Sequence, residues 1–446
     1  MQFDFTCEWQ DSPTEVRLPA HRSTWADLKI AVDDRVFTSN EPLVSDDEDA
    51  GSRDFIAVSV FPLAEFIAAN WWPLLHEPQE KEGLLLDASA FKQRHWINKH
   101  TDGFAYPTLG FFGADTSVRI VARPSHIESA NIEFPVSSGS ANVHWNGVER
   151  NDVESALLCF LVATAERLPA NDDKTWLQDL IARINHARTD QDEAIYCRCA
   201  GLLGADPFEP GDELYTAITR TIAVLGQDVA MEIFATAEVA NVASRAQWLQ
   251  DQTRSVIRKS REVAAHAGEL KRRLQASRPQ AGKPWERGYA VAQQLRDLLG
   301  MAPDRPMSTV DAVTRTLFDA PATVVSSIKH LESNSGARGV ACESRAGLGI
   351  AMQSSRMPQF QLAATFADFL FSGDGGLFLS TGASTDRQKT NRAFAAEFLA
   401  PIEGIKDRWS AKKMPNTNFD DIASQFGVSP YIVRYQVQNQ AEHLLA

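Results

Sequence analysis

The side chains that do hydrolytic or metal chemistry occur in this 446-residue chain, but mostly not at the spacings that chemistry needs. Ten histidines are present, yet no H-x-x-x-H occurs, so no helix offers two imidazoles one turn apart to a zinc ion. Cys197 and Cys199 lie two apart rather than in C-x-x-C, and Cys7, Cys159 and Cys342 are scattered. Ser59, Ser125 and Ser137 stand outside any G-x-S-x-G context, which leaves a serine hydrolase without support. The Gly-rich stretch Ser372 to Ser384 has no G-K-[ST] and reads as a loop after a helix, not as a phosphate cradle. The acids of Ser45 to Asp54 lack the alternation and glycine turn of a calcium loop and read as a solvated segment. His95, His100, Asp102 and Asp115 cluster in sequence, a pattern usual for surface residues.

The elements that must position any site follow from periodicity. The expected fold class is α+β, with a strand-rich mixed N-terminal domain (1–150), a helical middle domain (151–278) and a C-terminal domain (283–446). In the first, Val118 to Pro124 alternates as a half-buried strand does. Ile132 to Val136 and Ala141 to Trp145 read as strands joined by a hairpin connection at Ser-Ser-Gly-Ser. FPLAEFIAANWWPLLHEP (Phe61 to Pro78) holds an aromatic helix that Pro73 should stop. Trp71, Trp72, Trp96, Phe104, Tyr106, Phe111 and Phe112 supply core, or part of a cleft. Helical spacing runs through Val153 to Leu168 and Thr175 to Ala187. Arg254 to Lys283 is locally basic and reads as a solvated helix entering a linker. In the last domain, Trp285 to Met301 is an amphipathic helix that Gly300 ends, and Ser308 or Thr309 caps the next one. Short strands at Thr323 to Ile328, Arg338 to Glu343 and Leu348 to Met352 lead to a long apolar helix opening at Pro358.

Composition excludes some classes. With 44% hydrophobic and 23% charged residues, the chain is an ordinary folded protein rather than a disordered one. A net charge of −14 disfavours unspecific phosphate binding over the whole surface. No run approaches the roughly 18 to 20 apolar residues that span a bilayer, and the acidic N-terminus is no secretory signal. A reduced, cytoplasmic protein without membrane contact is expected.

The order of elements in the last 160 or so residues resembles the ImmA/IrrE family of bacterial metallopeptidase-like proteins. PWERGYAVA (Pro284 to Ala292) is similar to the family's opening helix. NRAFAAEFLAP (Asn391 to Pro401) and IASQFGVSPYIVRYQV (Ile422 to Val437) are similar to its last two segments. The N-terminal region looks like the extension of a longer subgroup. The resemblance implies a zincin-like fold ending in a helix-turn-helix-like pair at about 419–440. The central helix departs from the family pattern. FQLAATFADFLF (Phe360 to Phe371) aligns with F-T-L-A-H-E-L-C-H-L-L-F, so the two histidine positions fall on Ala364 and Asp368, and the glutamate on Thr365. The third ligand position falls on Arg387, beside Asp386. Alanine cannot ligate, threonine is no base near neutral pH, and arginine repels a divalent cation. His330 and His443 are the histidines of this region, and neither is at ligand spacing with another.

These residues imply a scaffold that lost its metal: a non-catalytic pseudopeptidase with neither cofactor nor metal. It would act by binding a protein or peptide in bacterial stress response, mobile-element control or phage defence. A second reading is a DNA-binding regulator with Ser429, Tyr431, Arg434 and Tyr435 on base edges. That helix carries one positive charge, so a structural or partner-binding role is favoured over DNA readout. A third is an enzyme with its site in the N-terminal domain.

Overall fold

Phe3 and Phe5 are buried while Thr6 is exposed, and this alternation makes Phe3–Trp9 (β1) a strand with one wet face. A computed structural model of the chain describes residues 2–43, 51–81, 84–86, 88–135, 143–209, 211–257, 264–275, 282–327, 336–344, 347–372, 376–410 and 418–441. The chain is mixed α and β, strand-rich at the N-terminus and helical in the middle and at the C-terminus. It divides into two units, Met1–Thr219 and Arg220–Ala446, and the helical segment expected at 151–278 is shared between them. The acidic stretch at 45–54 falls largely outside the described residues. No helix among the described residues is long and apolar enough to cross a membrane.

In the first unit, β1 pairs antiparallel with Trp25–Val32 (β2), whose other edge carries Ile56–Ser59 (β3) and the short strand Arg35–Val36. Two helices follow, Phe61–Ala69 (α1) and Trp71–His76 (α2). Pro73 does not end the aromatic helix as expected, because the break falls at Asn70. Pro73 then sits in the first turn of α2, where a missing N–H costs nothing. A second sheet runs Val143–Glu149 (β6), Ser117–Arg123 (β5) and Thr108–Ala114 (β4), all antiparallel. The expected hairpin connection at 137–140 lies outside the described residues; among the described ones, Ile132–Phe134 pairs with Ser125–Ile127 and Glu41–Pro42, in a different sheet from β6. Between α2 and β4 lies the helix Ser89–His95 (α3).

Three helices follow in this unit, Arg150–Arg167 (α4), Asp172–Thr189 (α5) and Gln191–Leu202 (α6). Their inward residues Leu157, Leu161, Leu177, Ile184 and Cys197 join one core with Leu28, Leu63, Ile67, Phe111 and Ile120. Close approach is set by glycine. A Cβ on Gly113 of β4 would lie 2.3 Å from the His76 backbone, and one on Gly201 of α6 would lie 2.6 Å from the Trp72 carbonyl oxygen. His95, expected on the surface, is fully buried. Its Nε2 meets Glu77 Oε2 at 3.0 Å, and Arg94 grips both Glu77 oxygens at 2.9 and 3.0 Å. His100 and Asp102 are exposed, and Asp115 is half-buried.

The helix Asp212–Leu225 has residues in both units, and the second unit goes on with Gln227–Phe234 (α7), Val242–Ile257 (α8), Ala264–Gln275 (α9), Pro284–Leu298 (α10) and Val310–Phe318 (α11). Gly300 (φ +60°) follows the end of α10, and Thr309 caps α11 by accepting the Ala312 amide at 3.1 Å. Its sheet has the order Val325–Ser327 (β7), Gly347–Met352 (β9), Ala337–Ser344 (β8), Gly376–Thr381 (β10). Only β7 against β9 is parallel. The Gly-rich stretch expected as a loop therefore contains an edge strand, because Leu377, Phe378 and Leu379 outweigh its glycines. Five helices belong to this part: Pro358–Phe371 (α12), Asp386–Leu399 (α13), Ile402–Ser410 (α14), Asn418–Phe426 (α15) and Pro430–Gln440 (α16). Phe366, Phe369, Phe378, Phe394 and Phe398 anchor one core.

Candidate functional site

The helix α12 is buried on nearly every side, which its continuous run of apolar and small residues permits. Its neighbour α13 begins at Thr385, whose hydroxyl accepts the Gln388 amide as an N-cap. This arrangement brings together two of the four expected positions. Asp368 is fully buried, and Arg387 closes on it with Nε to Oδ1 at 2.6 Å and Nη2 to Oδ2 at 2.6 Å. Asn391, one turn beyond Arg387, donates Nδ2–H to Oδ1 at 3.0 Å, and the Leu379 amide donates to Oδ2 at 2.8 Å. The carboxylate thus receives four hydrogen bonds, two of them from a planar fork that matches its geometry.

Burial alone would lower the Arg387 pKa. The hydrogen bonds and charge of Asp368, with the more distant Glu232 and Asp228, overcome that and hold the guanidinium above its ordinary range. Glu232 is 2% exposed and accepts hydrogen bonds from Thr385 Oγ1 at 2.7 Å and Thr381 Oγ1 at 3.3 Å. Asp386 pairs with Lys389 Nζ at 3.0 Å.

The other two positions carry no ligand chemistry. Ala364 is buried with a methyl side chain. The Thr365 hydroxyl donates to the Gln361 carbonyl one turn back at 2.8 Å, and it lies under β8 where Gly339 has no side chain. A Cβ on Gly339 would lie 2.1 Å from Thr365 Oγ1.

The resemblance implies zinc, and the donor set does not fit it. Both Asp368 oxygens are engaged, a cation stands at the third position, and imidazole is missing from all four. Asn391 Oδ1 is buried without a hydrogen-bond partner, but one amide oxygen is a weak zinc ligand. Among the described residues no group of three His, Cys, Asp or Glu side chains is placed to hold a metal; His330 and His443 lie outside those residues. His76 and Glu77 do form a His-Glu pair in the first unit, but Glu80 stands where a second histidine would be.

The outer edge of β10 is covered. Leu379 N–H meets Asp368, the Leu379 carbonyl accepts Gln388 Nε2 at 2.7 Å, and the Thr381 amide donates to Gln388 Oε1 at 3.0 Å. An extended peptide cannot add a strand along 379–381 while these side chains hold those groups.

Tyr431, Arg434 and Tyr435 share one face of α16, with the tyrosines 69% and 60% exposed. Ser429 occupies the N-cap position, but its side chain makes no capping hydrogen bond. Arg434 lies over the Phe419 ring at 5.4 Å, and the two residues after Phe419 on α15, Asp420 and Asp421, are exposed. The turn between the helices uses Gly427 at φ +68°, packed so closely on Ser308 that a Cβ would lie 2.4 Å from the serine Cβ.

Sequence reasoning missed three residues of this neighbourhood. Gln388 and Glu232 gave no signal because single polar residues on helices are normally solvated. Glu397, 1% exposed, accepts from Gln293, Gln436 and Gln440 at 3.0, 2.6 and 2.9 Å and ties α10, α13 and α16 together. The repeated glutamines at 436 and 440, one turn apart, were its legible trace. No family model, curated protein or solved structure matches the chain.

Proposed function

We propose that residues 283–446 form a metallopeptidase-like domain of the ImmA/IrrE type, ending in a helix-turn-helix-like pair, that works by binding a protein partner and not by hydrolysis. The observation that carries this reading is the Asp368–Arg387 pair. It puts a fixed internal cation where the resemblance would put zinc, so the scaffold is held together by an ion pair and needs no metal. Hydrolysis would require a polarised water, and the one carboxylate at these four positions, Asp368, is buried with both oxygens engaged and no Lewis acid beside it. The covered edge of β10 argues against strand addition at 379–381, and the Tyr431–Arg434–Tyr435 face of α16 supplies the exposed aromatic and arginine side chains that protein interfaces favour. The acidic flank at Asp420 and Asp421 supports a protein partner over duplex DNA. A bacterial regulatory setting in stress response, mobile-element control or phage defence is part of the same reading.

Affinity purification of the tagged full chain from its native host tests the binding role. One protein retained intact at near-equal stoichiometry, and lost with Tyr431→Ala/Tyr435→Ala, is the expected result. Proteolysis of the retained protein by the purified chain, or no retained protein, contradicts it.

A further inference from the structure

A polar cavity of about 400 Å³ opens in the first unit among α2, α4, α5 and α6, and nothing in the metallopeptidase-like reading uses it. Its charge is lopsided. Arg150, Arg188 and Arg198 line it against a single carboxylate, Glu154. Glu154 spans two of the three, with Oε1 3.2 Å from Arg150 Nε and Oε2 3.2 Å from Arg188 Nη2. Arg150 also donates to the Asp115 carbonyl oxygen and to His76 Nδ1 at 3.5 Å, which anchors it in the wall.

Arg198 is different. It makes no ion pair or hydrogen bond among the described residues, and its Nε is buried without a partner. The same holds for Trp72, 5% exposed, whose buried Nε1–H has no acceptor. Those two N–H atoms are themselves closed off; what the cavity offers a ligand is the terminal end of the Arg198 guanidinium, half-buried and without an ion pair or hydrogen bond among the described residues. The wall is built, not incidental. Gly201 brings α6 against the Trp72 backbone, which sets Arg198, one turn earlier, beside the stacked Trp72 and His76 rings at 5.7 Å. Burial first, then the charges of Arg150 and Arg198, hold His76 well below its usual pKa. It therefore adds no positive charge but records the positive field.

We propose that this cavity binds a phosphorylated small molecule, with the phosphoryl group held by Arg198 and Arg188. Three guanidiniums against one carboxylate suit a dianion better than a carboxylate monoanion, and arginine forks match phosphate oxygens. The volume exceeds that of bare phosphate and lies in the range of small-ligand sites. Asn151, Asn185 and Thr189 on the remaining wall are suited to the hydroxyls of a sugar.

Isothermal titration of the full chain with ribose 5-phosphate, with ribose and with inorganic phosphate tests this. Ribose 5-phosphate should bind at least about tenfold more tightly than ribose, with inorganic phosphate competing. Arg198→Ala should weaken binding about tenfold or more, with Arg198→Lys between it and the wild type, while all variants keep the wild-type melting profile. Vesicles containing phosphatidic acid should not compete. Failure of ribose 5-phosphate and inorganic phosphate to bind, binding unchanged in Arg198→Ala, or capture by the vesicles alone would overturn the proposal.

Discussion

Arg387 holds Asp368 from nineteen positions along the chain, and both carboxylate oxygens are taken at 2.6 Å. Asp368 is fully buried and the Arg387 side chain is 20% exposed, so solvent screens little of the pair. A buried pair of this kind contributes modestly as a whole, but removing one partner strands the other charge.

Arg387→Ala should therefore cost about 3–5 kcal/mol of stability, and Asp368→Asn/Arg387→Met much less than the sum of its single changes. Denaturant unfolding of the wild type and these four variants checks this. A small cost for Arg387→Ala would show that the pair is not what holds α13 against α12.

Gly288 of α10 sits against α13, where a Cβ would lie 2.4 Å from the Thr390 carbonyl oxygen and 2.8 Å from the Ala393 Cβ. Alanine ordinarily gains about 1 kcal/mol over glycine in a helix interior. Here the clash is with backbone, so the two helices must part, and overpacking costs of about 1–3 kcal/mol should prevail. Thermal melting of Gly288→Ala should show a lowered midpoint, whereas Gly268→Ala on α9, with open space around it, should raise or leave it.

His76 gives the first unit a pH dependence of known sign. Its folded pKa lies well below the ordinary 6.5, so below pH 6.5 the unfolded chain takes up a proton that the folded one refuses. Stability from this group is complete above 6.5 and falls as pH drops through it, by up to about 1.4 kcal/mol per pH unit. His76→Asn should flatten that slope between pH 6.5 and 5 in chemical unfolding. An unchanged slope would mean that His76 protonates in place.

Duplex DNA should show no retardation with micromolar protein at low salt, and Arg434→Ala should change nothing. The face offers one cation, already over Phe419, with Asp420 and Asp421 exposed nearby on α15. Salt-sensitive binding lost with Arg434→Ala would restore the DNA reading.

Where local chemistry decides, the fold was readable. Thr309, Pro358, Gly300 and Gly427 mark helix ends because a cap oxygen, a fixed φ or a left-handed turn is a property of one residue. Pairing partners were not readable. Ile132–Phe134 and Val143–Glu149 look like neighbours in sequence, yet strand choice depends on distant segments such as Glu41–Pro42. Pro73 misled because its cost depends on which turn it occupies. In the candidate site, that Ala364, Thr365, Asp368 and Arg387 are not a zinc-ligand set was visible residue by residue. That Asp368 and Arg387 find each other, and that Gln388 seals the strand edge, required the packing of α12 on α13. The cavity arginines 150, 188 and 198 come from three helices, and no spacing rule links them.

The metal content of the purified full chain, after incubation with excess zinc and exhaustive dialysis, tests the central claim most directly. Elemental analysis should find far less than one zinc per chain, with Asp368→Ala no different from the wild type. Close to one zinc per chain, lost in Asp368→Ala, would show that Arg387 yields its place to a metal and would contradict the account.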